Sequence, residues 1–145
     1  MVDGKKPRVL IAEDESHSRL LLRAIVTSMK CEVVGEATTG VEAIELFKQL
    51  RPHLLLLDIN MPSKTGDEVL KEIMAEYPKA FVIIVTSVAD QESIERCIQL
   101  GAANYIRKDT PIEEIRQTIK ETWQTFLGNA RQAASSRPTG ARPTG

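Results

Sequence analysis

The sequence predicts an α/β fold with a single parallel sheet of five strands in the doubly wound order 2-1-3-4-5. Three observations carry that prediction. Five short apolar runs alternate with five stretches of helical spacing, as βαβ units require. The first, third and fourth runs are nearly all apolar, whereas the second and fifth carry Glu32, Glu36, Asn104 and Arg107, and strands apolar on both faces belong inside a parallel sheet. The chain has 145 residues, 42% of them apolar, enough for one domain with a substantial core.

The first strand is Val9–Ala12, and the helix after it places Leu22, Ile25, Val26 and Met29 on one face. Glu32–Ala37 is the second strand. Thr39 and Glu42 fit a capping box ahead of Ala43, Ile44, Phe47 and Leu50. Leu54–Leu57 is the third strand, and Thr65 with Glu68 opens a helix bearing Leu70, Ile73, Met74 and Tyr77. Phe81–Val85 forms the fourth strand, followed by Ile94, Cys97 and Ile98 at helical spacing, with Gly101 suited to the helix end. After Ala103–Arg107, Thr110 and Glu113 fit a third capping box, with Pro111 at the first helical position. The last helix carries Ile112, Ile115, Ile119, Trp123 and Phe126. Right-handed crossovers with strands two and five at the edges give the flavodoxin-like (βα)5 arrangement, whose switch point lies between strands one and three.

The apolar pattern stops after Phe126, so residues 1–128 are read as the domain and 129–145, rich in Ala, Ser, Arg, Pro, Thr and Gly with a repeated Arg-Pro-Thr-Gly, as a flexible tail. The apolar runs, Leu54 to Leu57 and Phe81 to Val85 among them, are all too short to span a bilayer. No apolar stretch of signal-peptide length follows the first residues, so a cytoplasmic protein is expected. Cys31 and Cys97 lack metal-like spacing and read as free thiols. With 19 Lys+Arg against 20 Asp+Glu, the domain as a whole gives no argument for nucleic-acid binding.

The chemistry gathers at the carboxyl ends of the strands. Glu13 and Asp14 follow strand one and Asp58 ends strand three, so the topology brings three carboxylates to one crevice. Such anions repel one another, and burial must either raise their pKa values or require a cation, for which a hard divalent ion such as Mg²⁺ is the natural partner. Strand four ends in Thr86-Ser87 and strand five in Lys108, adding a hydroxyl and an ammonium. Together these groups suit phosphoryl chemistry. The acidic Glu13-Asp14-Glu15 stands where a dinucleotide-binding fold has its glycine-rich loop, which argues against a nicotinamide oxidoreductase.

From Arg8 to about Phe126 the chain resembles the receiver domain of two-component response regulators, of the single-domain chemotaxis type. The motifs are Leu10-Ile11-Ala12-Glu13-Asp14, Leu56-Leu57-Asp58-Ile59-Asn60-Met61-Pro62 with Gly66, Val85-Thr86-Ser87 and Gly101-Ala102-Ala103-Asn104-Tyr105-Ile106-Arg107-Lys108. The resemblance implies that Asp58 takes a phosphoryl group from the phosphohistidine of a histidine kinase or histidine phosphotransfer protein. It implies Mg²⁺ held by Asp14, Asp58 and the Asn60 carbonyl, with Glu13 acting mostly through water. Lys108 would pair with Asp58 and then the phosphoryl oxygens, Thr86 would move to hydrogen-bond them, and Tyr105 would turn inward as the switch. The implied output is a protein effector or phosphorylation-dependent homodimer, bound through the face of helix four, strand five and helix five, with no direct nucleic-acid or membrane partner. The implied chemistry is self-phosphorylation and self-dephosphorylation without an external substrate, so the domain is not expected to be an enzyme.

Departures from the family's pattern are few. Many receivers have proline directly after the lysine, where this chain has Asp109, and a trans Lys108-Asp109 bond is expected. Asn60 and Val88 occupy positions that tune dephosphorylation in the family. His17 and His53 lie off the motif and are expected in surface or packing roles. Two other readings stay open at this point, a receiver fragment of a DNA-binding transcriptional regulator and a non-phosphorylated scaffold with the same fold.

Overall fold

Runs of Leu, Ile and Val too short for helices extend and pair, and their polar flanks decide where each stops. A computed structural model describes residues 6–87 and 91–136, with side chains to residue 128. The strands are β1 (Arg8–Ala12), β2 (Glu32–Ala37), β3 (Leu54–Asp58), β4 (Val82–Thr86) and β5 (Asn104–Arg107). Between and after them come α1 (Ser16–Ser28), α2 (Gly40–Leu50), α3 (Gly66–Glu76), α4 (Gln91–Leu100) and α5 (Ile112–Ser136). All pairings are parallel and the order is β2-β1-β3-β4-β5, as the apolar and polar strands predict.

Side chains alternate across the pleat, so the sheet builds two cores. Leu10, Leu55, Leu57, Val82 and Ile84 pack with residues of α2, α3 and α4. Val9, Ile11, Leu54, Leu56, Ile83, Val85 and Ile106 pack on the opposite face with α1 and α5. Every residue of β3 and of β4 is buried, which follows from their place between two helical layers.

Helix ends obey local rules. Thr39 Oγ1 accepts the Glu42 N–H at 3.1 Å, and Glu68 accepts the Thr65 N–H at 2.9 Å in a capping box. α4 ends in a Schellman turn, with Gly101 N–H to the Ile98 carbonyl at 3.1 Å and Ala102 N–H to the Cys97 carbonyl at 3.0 Å. Gly101 sits at φ +119, a conformation side-chain-bearing residues avoid.

Several sequence expectations need correction. The last helix continues past Gly128 to Ser136, because one internal glycine costs only about 1 kcal/mol and Ala130, Arg131, Gln132, Ala133 and Ala134 favour helix. The rest of the expected tail, 137–145, lies outside the described residues. The Pro111 carbonyl accepts the Ile115 N–H at 3.0 Å, so α5 starts a residue later than the Thr110 capping box predicts. Ile98 and Ile112, expected inward, are 43% and 44% exposed; β5 is a four-residue edge strand and offers little surface to cover them. No helix among the described residues is long and apolar enough to cross a membrane.

Candidate functional site

The parallel register ends β1 and β3 side by side, with Ala12 opposite Leu57, so the residues just beyond them share one crevice. Glu13 and Asp58 are buried there, and Asp14 is exposed at its mouth. One carboxylate oxygen from each of the three residues lies within 4.8 Å of the others. Lys108 follows β5 and reaches across, its Nζ 2.7 Å from Glu13 Oε1 and 3.4 Å from Asp58 Oδ2. Its backbone N–H donates to the Thr86 carbonyl at 2.8 Å, which fixes the root of the lysine to the end of β4. Thr86 itself is buried.

Burial first, and then the negative charge of Glu13, pushes the Asp58 carboxyl up to about 7, against the lowering effects of Lys108 and of the Asn60 N–H. That N–H donates to Asp58 Oδ1 at 3.3 Å. Burial pulls the Lys108 ammonium down, yet its two carboxylate neighbours outweigh burial and raise it overall. Three carboxyl groups against one ammonium leave the crevice with excess negative charge. Glu13 Oε2 accepts the Glu15 N–H at 3.1 Å. Glu13 Oε1 is buried without a geometrically sound hydrogen bond, despite the nearby ammonium. A buried oxygen lacking such a partner, within reach of two further carboxylates, is a donor set suited to a hard cation.

The loop after Asp58 is held tightly. Lys64 N–H donates to the Pro62 carbonyl at 2.9 Å, across Ser63 at φ 70, which makes a three-residue γ-turn. Pro62 O accepts the Gly40 N–H and Ser63 Oγ the Val41 N–H, so this loop caps the amino end of α2. A Cβ on Gly66 would stand 2.6 Å from the Asp58 carbonyl oxygen, and only glycine lets α3 begin so close to the acid.

The structure therefore brings together Glu13, Asp14, Asp58, Lys108 and the Asn60 backbone. Tyr105 stands apart, 39% exposed on β5. Val88 lies outside the described residues. His53 Nδ1 accepts the Arg8 N–H at 2.9 Å and its ring meets Trp123 edge-on, a packing role, and His17 is exposed. Both cysteines are free. Every peptide bond among the described residues is trans, Lys108-Asp109 included. A separate groove of about 470 Å³ between α1 and α5 is lined by apolar residues such as Val9, Leu54 and Trp123 and shares none of these acids.

Sequence reasoning missed Arg19. Its Nη1 donates to the Glu13 carbonyl at 2.9 Å and the Asp14 carbonyl at 3.3 Å, and its Nε to Glu36 at 3.2 Å. The only sequence signal was an arginine one turn into the first helix, five residues beyond the acidic pair.

A doubly wound sheet whose carboxyl edge gathers acids from its first and third strands, and a lysine from its fifth, defines a receiver-type α/β domain. The chain belongs to the response regulator receiver domain family of two-component signalling, which matches residues 9–120. It is 40% identical to the chemotaxis protein CheY of Thermotoga maritima over 70% of this chain and 84% of that protein. It is 38% identical to the transcriptional regulatory protein YhcZ of Bacillus subtilis over 77% of this chain, but that match spans only 52% of YhcZ. Among solved structures it resembles a CheX-CheY-BeF3-Mg complex from Borrelia burgdorferi, with TM-score 0.77 and 26% identity, covering 80% of this chain and 88% of that one.

Proposed function

We propose that this is a phosphorylation-switched, cytoplasmic response regulator in which Asp58 is the phosphoacceptor. The observation that carries the reading is a buried Asp58 sharing its crevice with Glu13, Asp14 and Lys108. The donor is the phosphohistidine of a histidine kinase or histidine phosphotransfer protein. An Asp58 oxygen forms a bond to phosphorus as the N–P bond breaks, and the imidazole leaves with that electron pair. Lys108 neutralises the arriving phosphoryl oxygens, and the Asn60 N–H orients the attacking carboxylate.

The donor set fits Mg²⁺. Asp14, Asp58 and the Asn60 carbonyl would hold it, with Glu13 acting through water, and when bound it supplies positive charge against the phosphoryl oxygens. The Borrelia relative was solved with BeF3 and Mg²⁺, which supports this assignment. After transfer, Thr86 donates its hydroxyl to a phosphoryl oxygen and Tyr105 turns inward. That biases the face of α4, β5 and α5, where Ile98, Tyr105 and Ile112 are exposed, toward a protein effector or a second copy of the chain. Water attack on phosphorus frees the Asp58 carboxylate and inorganic phosphate and resets the switch. No external substrate is turned over, and neither nucleic acid nor membrane is bound directly by the domain. A second reading, a receiver serving a longer transcriptional regulator, is favoured by the greater length of YhcZ.

Intact-mass spectrometry after incubation with Mg²⁺ and acetyl phosphate tests the proposal. The expected result is a gain of about 80 Da, one phosphoryl group, lost in Asp58→Asn and in the presence of chelator. A wild-type chain that gains no mass and binds neither Mg²⁺ nor beryllofluoride would favour a constitutive scaffold.

A further inference from the structure

Where a carboxylate stands depends on the backbone that carries it, and Glu13 and Asp14 lie on a short loop between β1 and α1. Their negative side chains and their carbonyl oxygens crowd one sheet edge. One end of the loop is fixed by the Glu13 N–H, which donates to the Ala37 carbonyl at 2.9 Å. The two successive carbonyls are bridged by a single nitrogen, Arg19 Nη1, at 2.9 and 3.3 Å. The same guanidinium is held in its plane by Nε donating to Glu36 Oε1 at 3.2 Å. Glu36 lies on the edge strand β2 and also pairs with Arg23. The Arg19 side chain is only 21% exposed, and its bonds to the Glu13 carbonyl and to Glu36 are partly buried, while the one to the Asp14 carbonyl lies at the surface.

We infer that Arg19 is a positioning residue for the cation site, clamping the Glu13–Asp14 backbone so that both carboxylates converge with Asp58, with Glu36 on β2 orienting the clamp. The inference rests on the reading of this crevice as a Mg²⁺ site. Groups that orient metal ligands without touching the metal typically change affinity 10–100-fold when removed. The sign of the effect separates positioning from simple electrostatics. Arg19 brings a positive charge near the acids, so removing it would by charge alone tighten cation binding. Loss of the clamp weakens it.

The experiment is Mg²⁺ titration of the full chain by isothermal calorimetry, with thermal melts with and without Mg²⁺. Arg19→Ala is expected to weaken Mg²⁺ binding about 10-fold and to shrink the Mg²⁺-induced rise in melting temperature. A merely structural role would lower both melts equally and leave that rise intact. Arg19→Lys keeps the charge but cannot bridge two carbonyls and Glu36 together, and should recover only part of the affinity. Glu36→Gln should weaken binding by a smaller factor. Arg23→Ala removes one positive charge and one Glu36 pair without touching the loop, and should leave affinity within about twofold.

Unchanged or tighter Mg²⁺ binding by Arg19→Ala would overturn the inference. If that variant does not fold, unchanged affinity in both Arg19→Lys and Glu36→Gln does the same. A wild-type chain that binds no Mg²⁺ overturns the underlying site assignment instead, a result distinct from a wild type that binds and a variant that binds equally well.

Discussion

Asp58 is placed where an aspartate is least comfortable, buried beside Glu13, and its carboxyl rises to about 7 in consequence. Linkage fixes the sign of the effect on stability. A raised folded-state pKa means that the folded chain binds this proton more tightly than the unfolded chain. The stabilisation is fully present below the ordinary value of 3.8 and is lost as pH rises through about 7. In the metal-free protein, Asp58→Asn should therefore add stability at pH 8, by at most about 4 kcal/mol and less by what Lys108 loses with its partner. The gain should fade as pH drops toward 4, and urea unfolding of both chains across that range with chelator present checks it. A constant difference at all pH values would mean that ionisation is not the cause. The acids and Lys108 were legible in the sequence because reactive residue types stood at strand ends whose order composition predicts. Arg19 and Glu36 were not, since a long side chain reaching back to a carbonyl leaves no trace in spacing.

At the scale of elements, stop signals carry as much information as apolar stripes. Thr39, Thr65 and Gly101 were all readable because each does a local job with a local partner. Gly101→Ala should cost about 1–3 kcal/mol, chiefly through its φ of +119. The nearest atom to an added Cβ is the flexible tip of Met74, at 2.7 Å, which can move aside. Chemical denaturation should show this loss with an unchanged slope; no loss would mean that the α4 terminus relaxes into another turn. The unread boundaries were those that depend on context. Lys30 at φ 66 and Arg51 at φ 47 end α1 and α2 in left-handed turns with no glycine to announce them. α5 ran on because nothing in residues 129–136 opposes helix strongly enough to stop it.

Over the whole molecule, one sheet divides two cores, and each is reached from alternate residues of the same strands. Ile84 is fully buried on the α2, α3 and α4 face. Truncating it to Ala should cost about 3 kcal/mol, measurable as a lower urea midpoint, and a loss under 1 kcal/mol would show that the face can collapse around the gap. Strand order was legible because burial on two faces demands apolar residues, while the exposure of Ile98 and Ile112 was not, because the reach of an edge strand is a tertiary fact.

Parallel strands also give the domain a front and a back. All the acids lie where strands end. α5 starts at that edge, just past Lys108, and runs back along the sheet until Trp123 and Phe126 meet Phe81 at the opposite one. β1 begins at the same rear edge, where the Pro7 carbonyl accepts the Glu32 N–H at the start of β2. Both handles of the described chain thus lie behind the crevice, and a probe, a sensor surface or a fluorescent protein attached through either leaves the acids facing free solution.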